Sequence, residues 1–232
     1  MPSISTPSIP MQPGDAPAVD PARRLKDPTL DVECGFFAGG ATLVIGVDEV
    51  GRGAIAGPVA VGVHVVLAGA ETFPEGLRDS KLLSEKRREA LSPVVLAWGA
   101  GAVGYASAAE IDERGISWGL GQAGRRALLS LHEAGVAVDR AIVLLDGRHD
   151  WLSPVLRSRL DVHTMVGADR SCASVAAASV RAKVERDALM REAHDRSPHY
   201  AWASNKGYGA KAHYEGIAAH GLDALHRRSF IH

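Results

Sequence analysis

The alternation of apolar and polar segments along the chain predicts five β-strands and a series of helices. Apolar runs of strand length lie at residues 43–49, 58–67, 101–107, 141–145 and 161–166. Apolar residues at helical spacing, or a capping residue before a charged turn, predict helices at 84–98, 108–114, 117–134, 171–194 and 210–220, after a short helical segment at 28–38.

The order of these elements, β-β-β-α-β-α-β-α, indicates an α/β fold. Hairpin-like spacing in the first part and helical crossovers in the second predict a mixed five-stranded sheet flanked by helices. Residues 28–232 are expected to form one domain, whose C-terminal helical segment (about 195–232) makes an appendage on one side. Residues 1–27, which are rich in Pro, Ser and Ala, are expected to form a disordered tail.

Composition narrows the class of protein without identifying it. The 232 residues carry a formal net charge of −1, so a polyanion would have to be held by local basic clusters. Those clusters are Lys86-Arg87-Arg88, Arg181 with Lys183 and Arg186, Lys206 with Lys211, and Arg227-Arg228. Two widely spaced cysteines, no secretory signal and no apolar run near the roughly 20 residues of a membrane span predict a cytoplasmic protein without membrane association.

Two adjacent carboxylates, Asp48 and Glu49, end the first predicted strand and precede a turn of Gly51, Arg52 and Gly53. Successive residues of a strand point to opposite faces, so two neighbouring acids are hard to explain by packing alone. One of them should face the core side, where an unpaired carboxylate is costly unless a metal or another cation meets it. A strand that simply runs into a polar turn is the alternative interpretation.

Acids also end the fourth predicted strand and follow the fifth, at Asp146 and Asp169. Taken singly, Asp146 fits an Asp-Gly turn and Asp169 fits the first turn of a helix. Strand ends meet at one edge of an α/β sheet, so all four acids are expected to lie together. Their mutual repulsion would be relieved by divalent cations, and ligation by oxygen alone favours Mg²⁺ or Mn²⁺ over zinc. Two such ions about 4 Å apart support phosphodiester cleavage.

Longer motifs around these acids resemble those of the ribonuclease HII family, the bacterial type 2 ribonucleases H. The matching segments follow the family's order over about residues 28–232: VDEVGRGAIAGPV (47–59), RDSKLLSEKRRE (78–89), LLDG (144–147), ADRSCASVAAASVRAKVERD (168–187), NKGYGAKAH (205–213) and HRRSF (226–230). The Gly-Arg-Gly signature after the Asp-Glu pair is specific to type 2 enzymes. The resemblance implies a ribonuclease H-like fold.

The resemblance also assigns roles to individual residues. It implies that the four acids are catalytic and bind two Mn²⁺ or Mg²⁺ ions: Asp48, Glu49, Asp146 and Asp169. The Gly51–Gly53 turn would recognise the 2′-OH, the feature that separates RNA from DNA. Tyr208 would pack against the sugar of the next nucleotide and sense a deoxyribose there. Lys81 and Lys183 would contact phosphates, although each could equally be a solvated helix charge.

The implied activity is that of an endoribonuclease with a role in ribonucleotide removal and DNA replication or repair. It would hydrolyse the RNA strand of RNA–DNA hybrids and incise 5′ of single ribonucleotides in duplex DNA, leaving 3′-hydroxyl and 5′-phosphate ends. Its partners would be those two nucleic acids, and the protein is expected to be monomeric. The alternatives are a junction resolvase, which would cut all-DNA duplexes, and a silent nucleic-acid-binding module, which would lack at least one of the four acids.

Two positions depart from the family pattern. Ala168 precedes Asp169 where the family usually has a second glycine, which predicts a slightly different local backbone. Leu82 stands where a second lysine is common, which removes one expected phosphate contact.

Overall fold

The computed structural model describes residues 27–231, so the predicted tail lies outside the described residues except for Asp27. Five strands are present in this range: β1 (Leu43–Val50), β2 (Val59–Leu67), β3 (Gly101–Ala106), β4 (Ile142–Asp146) and β5 (Asp161–Met165). The α-helices are α1 (Asp31–Ala38), α2 (Glu85–Trp98), α3 (Ala108–Arg114), α4 (Ile116–Glu133), α5 (Ala168–Ser171), α6 (Ala173–Arg196), α7 (Trp202–Asn205) and α8 (Lys211–His220). None of these helices has both the length and the apolar character needed to cross a bilayer.

The strands form one mixed sheet in the order β3-β2-β1-β4-β5. The pairs β1–β2 and β2–β3 are antiparallel, whereas β1–β4 and β4–β5 are parallel. The central position of β1 explains why its residues from Leu43 to Asp48 are all buried, since a strand covered on both faces reads as a nearly continuous apolar run. The predicted α/β class, with a mixed five-stranded sheet flanked by helices, is confirmed.

The predicted order of elements is wrong in two places. The helix predicted at 84–98 is present as α2 between β2 and β3, so the order β-β-β at the start, which left this helix out, is wrong. No α-helix joins β4 to β5, although parallel neighbours usually need a helical crossover. The connection contains only a 3₁₀ turn at Ser153–Val155, and it packs Trp151 and Leu152 into the main core. These two side chains pack against α4 and cover apolar surface that a crossover helix would otherwise cover.

The long helix predicted at 171–194 is interrupted at Cys172. This residue is extended (φ −114°, ψ 125°) and its backbone pairs with Thr29, so α5 and α6 are separate helices. α6 begins directly after the break, where the buried carboxylate of Glu33 accepts hydrogen bonds from the amide (2.8 Å) and hydroxyl (2.6 Å) of Ser174. Asp169 therefore lies in a short helical turn and not at the end of the fifth strand.

Two strand glycines let α6 lie directly on the sheet. A Cβ atom added at Gly46 in β1 would stand 2.2 Å from the carbonyl carbon of Ser174. One added at Gly62 in β2 would stand 2.2 Å from the carbonyl oxygen of Ala178. Backbone atoms cannot rotate away as a side chain can, so this close contact depends on the missing side chains.

We expect Gly46→Ala to lower the free energy of unfolding by about 1–3 kcal/mol, because α6 must move away from the sheet. Gly35→Ala is the matched control, since nothing lies within 4 Å of a Cβ at that exposed position in α1. It should raise stability by about 0.5–1 kcal/mol through helix propensity. Urea unfolding followed by circular dichroism measures both changes. If the two substitutions change the free energy of unfolding equally, close contact at Gly46 does not limit how near α6 lies to the sheet.

The C-terminal segment packs on the second half of α6, beside the turn that follows β1. Its cluster of buried residues consists of Ala56, Met190, Ala193, Tyr200 and Trp202. The amides of Ile55 and Ala56 both donate to the carbonyl of Gly207, at 2.9 and 3.0 Å. The segment that carries Tyr208 is thereby fixed to the segment that follows the Asp48-Glu49 pair.

Candidate active site

Asp48 and Glu49 lie near the end of β1 and differ in exposure as their opposite orientation predicts. Asp48 is 1% exposed, whereas the side chain of Glu49 is 18% exposed and faces Arg52 (Nη1 to Oε1, 3.4 Å). Oδ1 of Asp48 accepts a hydrogen bond from the amide of Glu49 at 2.8 Å. Oδ2 of Asp48 is buried and has no hydrogen-bond partner among the described residues.

Asp146 and Asp169 lie close to this pair because β4 is hydrogen-bonded to β1, and because the residue before Asp169 is hydrogen-bonded to Asp146. Asp146 ends β4, the parallel neighbour of β1, and its Oδ1 accepts a hydrogen bond from the amide of Ala168 at 2.8 Å. Asp169, the next residue, is buried in α5. Ala168 makes this bond through its backbone, so its departure from the family's glycine leaves the contact intact.

Burial and like charges perturb the acids of this site, hereafter the acid cluster (Asp48, Glu49, Asp146 and Asp169). Burial raises the pKa of Asp48 well above its usual range, and the charges of Glu49 and Asp146 raise it further. Burial, followed by the charge of Asp169, raises the pKa of Asp146 to about 6. The pairing of β1 with β4 and the bond from the Ala168 amide to Asp146 bring the four predicted acids to one region, and the raised pKa values agree with that proximity.

Lys81 supplies a positive charge to the acid cluster. Its Nζ lies 3.1 Å from Oδ2 of Asp169 and 4.0 Å from Oδ1 of Asp79. Although burial opposes the charged form, Asp48, Asp79 and Asp169 together raise the pKa of Lys81 above its ordinary value. In this structure the lysine thus contacts a carboxylate, in a position that the sequence predicted for a phosphate contact.

Asp79 is a further buried carboxylate beside the acid cluster, and it was not predicted from the sequence. Its Oδ1 accepts a hydrogen bond from the amide of Lys81 at 2.9 Å, and its Oδ2 lies 3.5 Å from Nε of Arg170. The residue lies between the strand predicted at 58–67 and the helix predicted at 84–98, in a connection where an Asp is ordinarily solvated. The signal that could have identified it is its position two residues before Lys81, which allows it to fold back on that residue's amide.

The donor atoms of the acid cluster fit a hard divalent cation. All are carboxylate oxygens, and the buried Oδ2 of Asp48 lacks a partner, which is costly unless a cation meets it. As the side chains stand, no group of three or more His, Cys, Asp or Glu residues within 27–231 forms a ready metal-binding cluster. The ammonium group of Lys81, in contact with Asp169, supplies part of the positive charge that a bound cation would supply.

The Gly51–Gly53 turn follows β1 directly and is bonded to other segments of the site. Gly51 has a φ of +83°, in the left-handed region that favours glycine. Arg52 and Gly53 are exposed, and Arg52 is paired with Glu49. Through Ile55 and Ala56 the same segment is bonded to Gly207, so the structure brings the turn and the neighbouring Tyr208 together.

The remaining basic residues are placed differently from the prediction. Nζ of Lys183 is bound to Asp187 at 2.7 Å, and its side chain is largely buried. Several members of the basic clusters are buried and hydrogen-bonded inside the protein, so they cannot line a surface groove. They are Arg181, Arg186, Lys206 and Arg227. Those that remain exposed are Lys86, Arg87, Lys211 and Arg228. A buried arginine looks the same as a solvated one in the sequence, so the sequence could not show which members of these clusters face solvent.

We expect Asp146→Asn to stabilise the metal-free protein at neutral pH. The folded pKa of about 6 lies above the ordinary value of an aspartate, 3.8, so the contribution of this carboxyl group favours folding below about pH 4 and is lost as the pH rises through 6. The partial exposure of Asp146 reduces the expected gain at pH 7.5 to about 1–2 kcal/mol. Thermal unfolding in EDTA at pH 5.0 and 7.5 measures it. The gap between variant and wild type should be wider at the higher pH, and a gap that narrows would contradict the assignment.

The chain is similar to known proteins in sequence and in fold. The sequence profile of the family described as Ribonuclease HII matches residues 45–232. The ribonuclease HII of Anaplasma phagocytophilum (strain HZ) is 40% identical over 204 residues, which cover 88% of this chain and 92% of that protein. The crystal structure of ribonuclease H2 from Pyrococcus horikoshii OT3 superposes with a TM-score of 0.58 at 25% identity, over 81% of this chain and 93% of that one.

A second solved structure, that of Bst-RNase HIII in complex with Mn²⁺, gives a TM-score of 0.64 at 23% identity, over 82% of this chain and 67% of that one. At that identity the similarity concerns the fold, and it confirms the predicted ribonuclease H-like architecture. The family profile spans most of the chain, including all four members of the acid cluster, the Gly-Arg-Gly turn and Tyr208. The chain therefore belongs to the ribonuclease HII family.

Proposed function

We propose that this ribonuclease H cuts the RNA strand of RNA–DNA hybrids and incises duplex DNA on the 5′ side of a single embedded ribonucleotide, leaving 3′-hydroxyl and 5′-phosphate ends. The observation that carries the proposal is the continuity of β1. One strand supplies Asp48 and Glu49 and leads directly into the Gly51–Gly53 turn, which is bonded to the segment holding Tyr208. The groups that would cut the backbone and those that would read the sugar are thus in one rigid unit.

The acid cluster would hold two Mg²⁺ or Mn²⁺ ions. Such ions activate a water molecule and stabilise the leaving oxygen in phosphodiester hydrolysis. The unpartnered Oδ2 of Asp48 and the raised pKa of Asp146 support this, because neither carboxyl group has a directly bonded cation among the described residues. The complex of the distantly related Bst-RNase HIII with Mn²⁺ agrees with the choice of metal.

Residues around the cluster would select and position the substrate. Backbone groups of the Gly51–Gly53 turn would approach the 2′-OH, which a DNA strand lacks. Tyr208 is exposed beside this turn and would contact the following sugar. Lys81, which already pairs with Asp169, would neutralise a phosphate once the carboxylates engage the metals. Together these contacts would favour junctions at which a ribonucleotide is followed by DNA.

The test is cleavage of four end-labelled duplexes of one sequence: a single embedded ribonucleotide, a continuous RNA–DNA hybrid, all-DNA and all-RNA. Each is incubated with Mg²⁺, with Mn²⁺ or with EDTA. We expect metal-dependent cutting of the first two alone, 5′ of the ribonucleotide in the first. Cleavage of all-DNA would favour a junction resolvase, and binding without cleavage would favour a silent nucleic-acid-binding module. Either result would refute the proposal.

A further inference from the structure

Two buried arginines lie under the recognition turn, and the proposed chemistry does not use them. Arg186 in α6 and Arg227 near the C-terminus are both fully buried. Their hydrogen bonds in the described part of the chain go to backbone carbonyl groups. Burial lowers the pKa of each, that of Arg227 to about 9. Burying two cations without a directly bonded carboxylate lowers the free energy of unfolding, so a purely structural role would come at a cost in stability.

Arg186 joins the two segments that would read the substrate. Its Nε donates to the carbonyl of Pro58 at 2.8 Å and its Nη2 to that of Ala56 at 3.2 Å, both in the segment that follows β1. Its Nη1 donates to the carbonyl of Lys206 at 2.9 Å, two residues before Tyr208. The same guanidinium lies 5.7 Å from the centre of the Tyr208 ring. One planar group thus sets the distance between the turn and the tyrosine.

Arg227 orients the turn itself. Its Nη1 donates to the carbonyl of Arg52 and its Nε to that of Gly57, both at 3.0 Å. In a trans peptide the carbonyl and the following N–H point in opposite directions, and the described chain has no cis bond. A carbonyl of Arg52 held toward Arg227 therefore directs the N–H of Gly53 away from it. Because Gly53 is exposed, we expect this donor to be accessible to a substrate.

The glycine pattern of the turn follows from the same arrangement. A Cβ atom at Gly51 would lie 2.1 Å from Nε of Arg186, and one at Gly57 would lie 2.3 Å from the sulfur of Met190. Both glycines also have φ near +80°. A Cβ added at Gly53, in contrast, meets nothing within 4 Å. The first glycine of the Gly-Arg-Gly signature is thus required by the arginine beneath it.

We infer that Arg186 is a positioning residue for ribonucleotide recognition: it holds the Gly51–Pro58 segment and Tyr208 in one fixed relation, with Arg227 as a second point of attachment. The inference rests on the proposed function. A guanidinium suits the task because its five donors lie in one rigid plane and can satisfy several carbonyl groups at once. A lysine ammonium on a flexible stem would not fix the same three carbonyls.

The experiment compares Arg186→Met with Arg181→Met. Arg181 lies in the same helix and is also buried, but its bonds go to Nδ1 of His64 (3.1 Å) and the carbonyl of Gly99 (2.6 Å), in a different part of the fold. Two quantities are measured besides the melting temperature. One is kcat and KM on a duplex with one embedded ribonucleotide, and the other is amide hydrogen exchange of the free protein.

We expect both substitutions to lower the melting temperature, but only Arg186→Met to lower kcat, by roughly 100-fold, as for a reacting group displaced by about 1 Å. Amides in 51–58 and 206–209 should exchange at least about tenfold faster in that variant alone. In Arg186→Ala, added guanidinium ion should recover part of kcat. A kcat for Arg186→Met equal to that of Arg181→Met, or faster exchange spread evenly over the chain, would overturn the inference.

Two further measurements keep the result decisive. If Arg186→Met does not fold, Gly51→Ala, which keeps the arginine but presses a methyl group on it, should produce the same local exchange and loss of kcat. Unchanged exchange and kcat in Gly51→Ala would then overturn the inference. If the wild-type protein itself fails to cut the ribonucleotide duplex, the proposed function is wrong, and hydrogen exchange in the free protein decides whether Arg186 couples the two segments.

Discussion

Asp48→Asn is expected to reduce cleavage of a duplex with one embedded ribonucleotide by at least about 10³-fold, with the fold intact. Asp48 is the most deeply buried acid of the cluster, and its Oδ2 is the oxygen without a partner. An amide has nearly the same shape but carries no charge, and its nitrogen cannot ligate a hard cation. Single-turnover cleavage with saturating Mg²⁺ or Mn²⁺ measures the loss.

Glu33→Gln is the matched control for this substitution. Glu33 is another fully buried carboxyl group whose pKa is raised by burial, but it binds the start of α6 through Ser174. The amide oxygen of glutamine preserves an acceptor for those bonds, so its cleavage rate should stay within about twofold of wild type. If Glu33→Gln loses as much activity as Asp48→Asn, removal of any buried carboxylate is damaging and the acid cluster has no special role.

A second readout separates metal binding from folding. Burial and its acidic neighbours raise the pKa of Asp48, so its ionised form destabilises the metal-free protein and Asp48→Asn should unfold at a higher temperature in EDTA near neutral pH. Added Mn²⁺ should raise the melting temperature of wild type, because a ligand that binds only the folded state stabilises it. The variant should respond less. An equal response would place the metal away from Asp48.

The sequence predicted the members of the acid cluster because their information is local. Asp48 and Glu49 end an apolar run, and Asp146 ends another, so strand periodicity and residue type are sufficient. Their convergence follows from the parallel pairing of β1 with β4, which the element pattern also favours. Asp169 was expected just past the fifth strand, before a helix at 171–194, whereas the structure places it in α5, a separate helix because Cys172 is extended.

The support of the site could not be predicted, because its contacts join distant parts of the chain. Arg186 binds a carbonyl 128 positions away and Arg227 binds one 175 positions away. Charged residues on a helix are solvated by default, and burying one requires partners that only the folded chain supplies. For the same reason the burial of the Asp79 carboxylate could not be predicted. Local patterns identified the acids, whereas the groups that orient the turn required the tertiary structure.

Tyr208→Ala is expected to reduce kcat/KM on a duplex with one embedded ribonucleotide by roughly 5- to 150-fold, equivalent to about 1–3 kcal/mol of stacking on an aromatic ring. The residue is 39% exposed, and the guanidinium of Arg186 lies 5.7 Å from the centre of its ring. In a continuous hybrid the next sugar is a ribose, so the contact with deoxyribose is absent there. The same substitution should therefore change cleavage of the hybrid by less than about threefold.

Two tyrosine variants test whether the ring face is the cause. Tyr208→Phe keeps the face and should retain most of the activity on the embedded ribonucleotide. Tyr214→Ala removes a neighbouring tyrosine that is 45% exposed in α8, and it should leave the ratio of the two substrates unchanged. A parallel loss on both substrates in Tyr208→Ala would mean that the residue supports the turn in general. A ratio that falls only in Tyr208→Ala would mean that the aromatic face reads the sugar beyond the junction, and that selection of single ribonucleotides depends on this contact.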